Sequence, residues 1–432
     1  MAEGSQGWSR SVTALLVSVF GGSAAGLGIV TALGKQVYDL TDSELALGLL
    51  GLAQFAPAAL LVLVTGAIAD RFDRRRVVAL GSVAQAAFVG GLGWYASTDP
   101  TSATPIFALV FGFGVARAFT APSARSLPAD VVSPEGMPWL VPRNSTAWQA
   151  GAIVGPVLGG TLYSINEPLP FVAGAALFLV AAVAVLLIRY HPSAAPSIVA
   201  VPVPLEETAV ASSADHGIAG PRPRATLSDA LEGLRFIRRQ PVLLGVISLD
   251  LFAVLFGGAV ALLPAIAEDR LGTNAVGLGW LRAADGMGAA LTTLVLTRRP
   301  VGRHVGRTLL IAVGIFGTFT VLLGVTTNFV VAFVALAILS GADAVSVFIR
   351  ATLVPLVTPR EKRGRVLAVE NVFIGASNEL GAFESGVAGA VLGSSAAIAL
   401  GGAATVAVAA GWWVFFPALR QVDRFPASSE PP

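Results

Sequence analysis

The placement of charge constrains this chain more than any other feature. Apolar runs of about 20 residues, the length an α-helix needs to cross roughly 30 Å of hydrocarbon, alternate with short intervals that hold most of the acidic and basic residues. With 55% hydrophobic and 12% charged residues and a mean hydropathy of +0.76, the chain reads as a polytopic membrane protein. Its net charge of +2 and pI near 9.3 therefore give no argument for a nucleic-acid partner. The absence of Cys removes disulfides, thiolate metal sites and thiol nucleophiles, and 3 His make a His-rich metal site a poor expectation. No metal and no cofactor is expected.

Twelve spans can be drawn. The first six are Ser11 to Gly34, Ala46 to Ile68, Val77 to Ser97, Thr104 to Ala121, Ser145 to Ile165 and Pro170 to Ile188. The second six are Pro241 to Ile266, Asn274 to Thr297, Thr308 to Thr326, Phe329 to Phe348, Val366 to Gly393 and Ala396 to Pro417. The first run is too long for a signal peptide and lacks a clear small-residue cleavage site, so it is expected to stay as a span. Of the 28 Lys and Arg, Lys35 and Arg270 fall in odd-numbered connections and Arg117 and Arg282 inside spans, which leaves 24 at the termini or in even-numbered connections. The positive-inside rule then places both termini in the cytoplasm. The expected organisation is an all-α membrane protein: a six-helix bundle over 1–190, a linker over 191–240, a second bundle over 241–424 and a disordered tail over 425–432. Within the linker, Leu227 to Arg239 has apolar residues at helical spacing and predicts a short interfacial helix.

The halves echo one another. Arg71 and Arg298, Arg76 and Arg303, Pro128 and Pro355, and Asn144 and Asn371 share one offset of 227. Such repeats place a substrate site near the midplane of the membrane.

The first of these charged loops, Gly66-Ala-Ile-Ala-Asp70-Arg71-Phe-Asp73-Arg74-Arg75-Arg76, combines a small residue, carboxylates and several guanidiniums beside a helix end. Gly66 lets helices approach closely, and Asp70 can sit near the positive N-terminus of the next helix. With Arg71, Arg74 and Arg75 it forms a candidate conformational latch; a plain stop-transfer cluster is the simpler reading of the arginines taken alone. The spacing resembles the Gly-x-x-x-Asp-Arg loop of the major facilitator superfamily, with Asp73 where that family usually has Gly. Span five contains Gly151-Ala-Ile-Val-Gly155-Pro156-Val-Leu-Gly159-Gly160, in which small residues clear one helix face and Pro156 removes a backbone hydrogen bond. It is similar to the helix-kink motif of exporters in that family, with Pro142 in the place of an upstream Gly. Generic small-residue packing explains this piece equally well.

Ionisable residues inside spans are costly, on the order of 3 kcal/mol on insertion scales, and need a partner or water. Asp250, Arg282 and Asp285 all reach midplane depth at 1.5 Å per residue. Arg282 and Asp285 share a face, which fits a structural ion pair; Asp250 has no partner nearby in the sequence and is the better proton carrier. Arg117 and Asp343 occupy nearly equivalent places in the repeat. Either they form a permanent salt bridge, or burial and a nearby arginine act on Asp343 in opposite senses and make it switchable. Span eleven adds Glu370, Asn371, Asn378, Glu379 and Glu384, which cannot all face one cavity. Glu370 is placed near the cytoplasmic end, solvated or bound to Arg363 or Arg365.

Gln36 to Gly51, Leu249 to Pro264, Arg363-Gly-Arg-Val and Ser377 to Gly386 resemble the enterobactin exporter-like branch of the superfamily. The resemblance implies twelve helices, alternating access and proton-driven efflux of a siderophore, drug or other amphipathic molecule across a bacterial inner membrane. The expected partners are a small-molecule substrate, protons and the lipid bilayer, with a monomer as the working state. Import or lipid flipping by the same fold is the nearest alternative, and a non-transporting receptor or scaffold is another. No enzyme signature is present: the sequence has no His-Glu-x-x-His, Gly-x-Ser-x-Gly or Gly-Lys-Ser/Thr.

Overall fold

The computed structural model describes residues 9–189 and 227–426. Residues 191–226 of the expected linker and most of the expected tail lie outside the described residues. Every regular element among the described residues is helical, as lipid demands of a chain whose backbone groups must be satisfied within each segment. In order these are α1 (Arg10–Thr41), α2 (Glu44–Arg71), α3 (Arg74–Ala96), α4 (Thr104–Val131), α5 (Met137–Ile165), α6 (Leu169–Leu186), α7 (Leu227–Arg239), α8 (Pro241–Phe256), the single turn α9 (Leu263–Ala265), α10 (Ala275–Arg298), α11 (Val305–Val325), α12 (Phe329–Val357), α13 (Arg360–Leu392), α14 (Ser394–Phe415) and α15 (Pro417–Arg420). Twelve of them are long: α1–α6, α8 and α10–α14.

By length and composition, 9 of the described helices are apolar enough to cross a membrane. The long helices outside that set are α5, α10 and α13, which carry Arg143, Asn144 and Gln149, Arg282 and Asp285, and Glu370, Glu379 and Glu384. The polar residues that weaken their hydropathy are thus the ones that need explanation.

Helix ends depart from the expected spans in one consistent way. α4 runs on to Val131, α12 to Val357, and α5 begins at Met137, so these helices continue past the apolar run into polar sequence. A hydrogen-bonded ladder, once started, extends at little cost, so hydropathy marks only the part of a helix within the hydrocarbon. The seventh span, Pro241 to Ile266, falls within a candidate crossing of Pro241–Arg270 but is not one continuous α-helix. α8 stops at Phe256, before Gly257-Gly258, and gives way to a 3-10 turn (Ala259–Leu262), α9 and a π turn (Ile266–Arg270). Two consecutive glycines followed by Pro264 leave the backbone too free, and too short of donors, to hold an α-helix there.

The described chain falls into two compact units, one of residues up to Gln36 with those from Ala53 on in the first half, the other of Val37–Leu52 with the second half. In the first unit α3 packs on α4 and α6, with Val89, Leu92, Ile106, Val110 and Phe171 buried and the rings of Phe113 and Phe178 5.8 Å apart. α1 and α5 meet along a seam of small residues. A Cβ on Gly28 would lie 2.8 Å from the Gly155 carbonyl, one on Gly151 would lie 2.8 Å from the Phe20 carbonyl, and Gly155 and Gly159 face Ala24 and Gly28 as tightly. Pro156 and Gly160 are buried in the same helix. In the second unit α11 packs on α12 and α14, α10 on α12, and α13 on α7 and α8, over a core that includes Leu243, Val246, Leu249, Leu309, Ile349 and Leu353.

α7 forms over the expected residues and is docked. Its Ile237 enters the core of the second unit, Glu232 pairs with Arg365 at 2.7 Å, and Lys362 stands 4.9 Å from the Phe236 ring.

The seam between α1 and α5 predicts the effect of adding a side chain. Gly155→Leu is expected to destabilise the protein by roughly 1–3 kcal/mol or more, read as a lower thermal midpoint in detergent. Gly90→Leu in α3, where a new Cβ meets nothing within 4 Å, should leave the midpoint unchanged.

Candidate functional site

The charged loop between α2 and α3 is built around capping. Asp73 is the N-cap of α3 and accepts from the Arg75 backbone N–H at 3.0 Å and from the Arg75 guanidinium at 2.9 Å. The residue that departs from the family pattern therefore closes the helix start, where four N–H groups need acceptors. The Arg75 guanidinium, helped by the backbone N–H, holds the Asp73 carboxyl below its ordinary value of 3.8. Arg75 also donates to the Ile188 carbonyl just beyond α6 at 2.7 Å. Arg74 reaches both oxygens of Asp130 near the end of α4, at 3.0 and 3.1 Å. Sequence reasoning missed Asp130, because its span ended before the extension of α4 that carries it. Arg71 is exposed. Gly66 and Asp70 fall within α2, and their side-chain surroundings lie outside the described residues.

The densest cluster of buried charge lies in the second unit, where α8, α12 and α13 converge. Arg350 of α12 pairs with Asp250 of α8 at 2.7 Å, with only 5% and 6% of the two side chains exposed. Arg350 acts electrostatically on Asp343, two turns earlier on α12, and on Glu370 of α13; Asp250 acts on both of these, and Asp285 of α10 on Asp343. The Arg350 Nε is buried with no hydrogen-bond partner among the described residues, so the guanidinium retains a free donor beside further carboxylates. Asp250, without a partner near it in the sequence, finds one on another helix. One expectation is corrected. Glu370 is buried, 7% exposed, and faces the Arg350 cluster, while Arg365 is engaged by Glu232.

Other expected site residues lie on α4, α10 and α13. Arg282 is half-buried one turn before buried Asp285 in α10. Glu379 approaches α2 at Gly51, where an added Cβ would lie 3.6 Å from its Oε2, and Asn378 is half-buried beside it. Glu384 is half-buried on a different face of α13. Arg117 is half-buried in α4 of the first unit. A pair missed in the sequence lies at the end of α1, where the Tyr38 hydroxyl donates to Asp269 of the π turn at 2.5 Å. The neighbouring Arg270 donates to the Thr326 carbonyl at 2.9 Å. Among the described residues no group of His, Cys, Asp and Glu is arranged to hold a metal ion.

A family model described as Major Facilitator Superfamily matches residues 12–303. The chain is 26% identical to the multidrug efflux pump Tap of Mycolicibacterium fortuitum over 447 residues, covering 95% of this chain and 97% of that protein. It is 27% identical to the enterobactin exporter EntS of Escherichia coli over 354 residues, 80% of this chain and 77% of the exporter. Similarity to multidrug resistance protein 1 of Bacillus subtilis, at 29% over 192 residues, takes in 43% of this chain and spans about half of that relative, 46% of its length. Among solved structures, the nucleoside transporter NupG superposes with a TM-score of 0.68 at 14% identity, over 95% of this chain and 99% of that one.

Two measurements follow from the geometry. Arg350→Met should cost about 3–5 kcal/mol by leaving a buried carboxylate without its cation, and Arg350→Met combined with Asp250→Leu should recover the part of the loss due to Asp250, the rest staying with Asp343 and Glu370. Thermal midpoints of the single and double variants decide this. For Asp73 the folded value is depressed, so its stabilisation is full above the unfolded value near 3.8 and is lost as pH falls through the folded value. Asp73→Ala should therefore cost about 1 kcal/mol at pH 7, and its difference from the wild type should shrink as the pH is lowered below 3.8.

Proposed function

The chain belongs to the major facilitator superfamily, and on that premise we propose that it is a secondary active exporter that moves a small amphipathic molecule outward in exchange for protons by alternating access. The observation that carries the proposal is the Arg350 cluster. Asp250, Asp343 and Glu370 surround one guanidinium in a low-dielectric interior, so charge balance within the cluster calls for further positive charge. Protons are the smallest counter-charges that can reach buried carboxylates. A proton arriving on Asp343 or Glu370 changes which carboxylate competes for the free donor of Arg350, and this couples proton occupancy to the packing of α8, α12 and α13. Asp250 is the resident counter-ion in this scheme, and Asp343 and Glu370 are the exchangeable sites.

Efflux, rather than import, is supported by relatives named as a multidrug efflux pump and an enterobactin exporter. The small-residue seam of α5 resembles the exporter motif and supports the same direction. The distribution of Arg and Lys supports a bacterial inner-membrane protein with both termini in the cytoplasm. The cargo class in this reading is a siderophore, drug or other amphipathic compound.

The test is compound-dependent proton movement in proteoliposomes. Catecholate siderophores and lipophilic cations are screened against the wild type, Asp343→Asn and Glu370→Gln. At least one compound should drive proton flux in the wild type, and one or both variants should abolish it while keeping the wild-type thermal midpoint. Flux that survives both neutralisations would remove the cluster from coupling, and no flux with any compound from folded protein would remove the antiport reading.

A further inference from the structure

α7 rests on the part of α13 that leads to the buried cluster. An added Cβ on Gly233 would lie 2.8 Å from the Arg365 carbonyl and 3.2 Å from Val369 Cγ2, so the two helices cross there at the limit of contact. One turn further along α7, Ile237 is buried in the same apolar core as Leu249, Ile349, Val366 and Val369. Three of these adjoin cluster members in the sequence: Leu249 precedes Asp250, Ile349 precedes Arg350 and Val369 precedes Glu370. Val366 stands one turn before Glu370 on the same face of α13 and is fully buried. Leu231, Arg235, Arg238 and Arg239 of α7 are exposed, so the thickness of one helix separates this core from the surroundings of the protein.

The attachments of α7 are few. Its ion pair, Glu232 to Arg365, leaves 43% and 38% of the two side chains exposed, and a pair so open to screening holds weakly. Lys362 stands over the Phe236 ring, and Ile237 is the one fully buried side chain among the described residues of the helix. At the far end Gln240 is extended, with φ −109° and ψ 102°, and Pro241 begins α8. Proline offers no N–H, so no helical ladder runs from α7 into α8, and Gln240 forms a joint. Around Glu370 the other walls are harder to open. Arg350 and Asp250 act on it from α12 and α8, and separating those helices breaks an ion pair with under a tenth of either side chain exposed. The wall that can open alone, at a fraction of the cost of unfolding, is α7. We propose that α7 is a hinged lid over the Arg350 cluster. Docked, it keeps water from the α13 face that carries Val366 and Glu370; swung about Gln240, it admits water to that face. This adds regulation to the antiport reading and rests on it, since a lid over Glu370 matters to transport only if protons exchange there.

The chain contains no Cys, so a single introduced thiol reports one position. Val366→Cys and Val369→Cys are made one at a time in the full chain, and the rate of reaction with a charged, water-soluble methanethiosulfonate is measured in nanodiscs. With α7 undisturbed both should react slowly. Gly233→Leu, which leaves no room for the close crossing, should raise both rates about tenfold or more. Glu232→Arg should raise them about threefold, and adding Arg365→Glu should restore the slow rates. Arg235→Ala, on the exposed face of α7, should change neither rate. Ala284→Cys, buried in α10 and packed toward α12, should stay slow in every background, and thermal midpoints establish that each variant is folded. Fast reaction of either thiol with α7 undisturbed, rates indifferent to both Gly233→Leu and Glu232→Arg, or a rise shared by Ala284→Cys would each overturn the lid. Labelling that depends on α7, without compound-driven proton flux, would keep the lid and remove the antiport reading. Flux that Glu370→Gln abolishes, with labelling indifferent to α7, would do the reverse.

Discussion

Hydrocarbon offers no hydrogen bonds, and the architecture of this protein follows from that constraint. Backbone groups are satisfied inside helices, and side chains that hydrocarbon would reject must find partners within the protein. The second requirement explains the interior better than apolar packing does, since lipid tails drive helix association no more than a neighbouring leucine would. What remains is close approach and polar pairing. The two units rely on these in different proportions.

In the first unit close approach dominates. Gly28 on α1 and Gly151, Gly155 and Gly159 on α5 bring two backbones to the limit of contact, so dispersion and weak backbone interactions replace the hydrophobic effect. The second unit also has tight crossings, such as Gly381 against α8, but places beside them an Arg350–Asp250 ion pair with under a tenth of either side chain exposed. Burying such a pair costs desolvation that mutual attraction only partly offsets. The pair is therefore weak evidence of stability, and its interest lies in the further carboxylates that Arg350 acts on, Asp343 and Glu370.

The fold was legible in the sequence, and so was much of its detail. The period of apolar runs gave the long helices, the polar moment of Leu227–Arg239 gave α7, and the loop from Gly66 to Arg76 gave the family. The broken seventh span was not foreseen, although Gly257, Gly258 and Pro264 stood in view. Hydropathy averages over that stretch and registers its apolar side chains, whereas a helix responds to backbone freedom and to missing N–H groups.

The same distinction hid the centre of the candidate site. Hydropathy ends the tenth span at Phe348, two residues before Arg350, and so assigns that arginine to a cytoplasmic connection. The helix instead continues to Val357 and turns Arg350 inward to meet Asp250. Glu370 was misplaced for the mirror-image reason, since α13 begins six residues before its apolar run and carries the glutamate a further turn and a half inward from the helix start. Asp130 on the extended end of α4 repeats the pattern with Arg74. Charges just outside an apolar run are the ones whose environment the sequence cannot assign, because the helix, rather than the hydrocarbon boundary, decides which way they point.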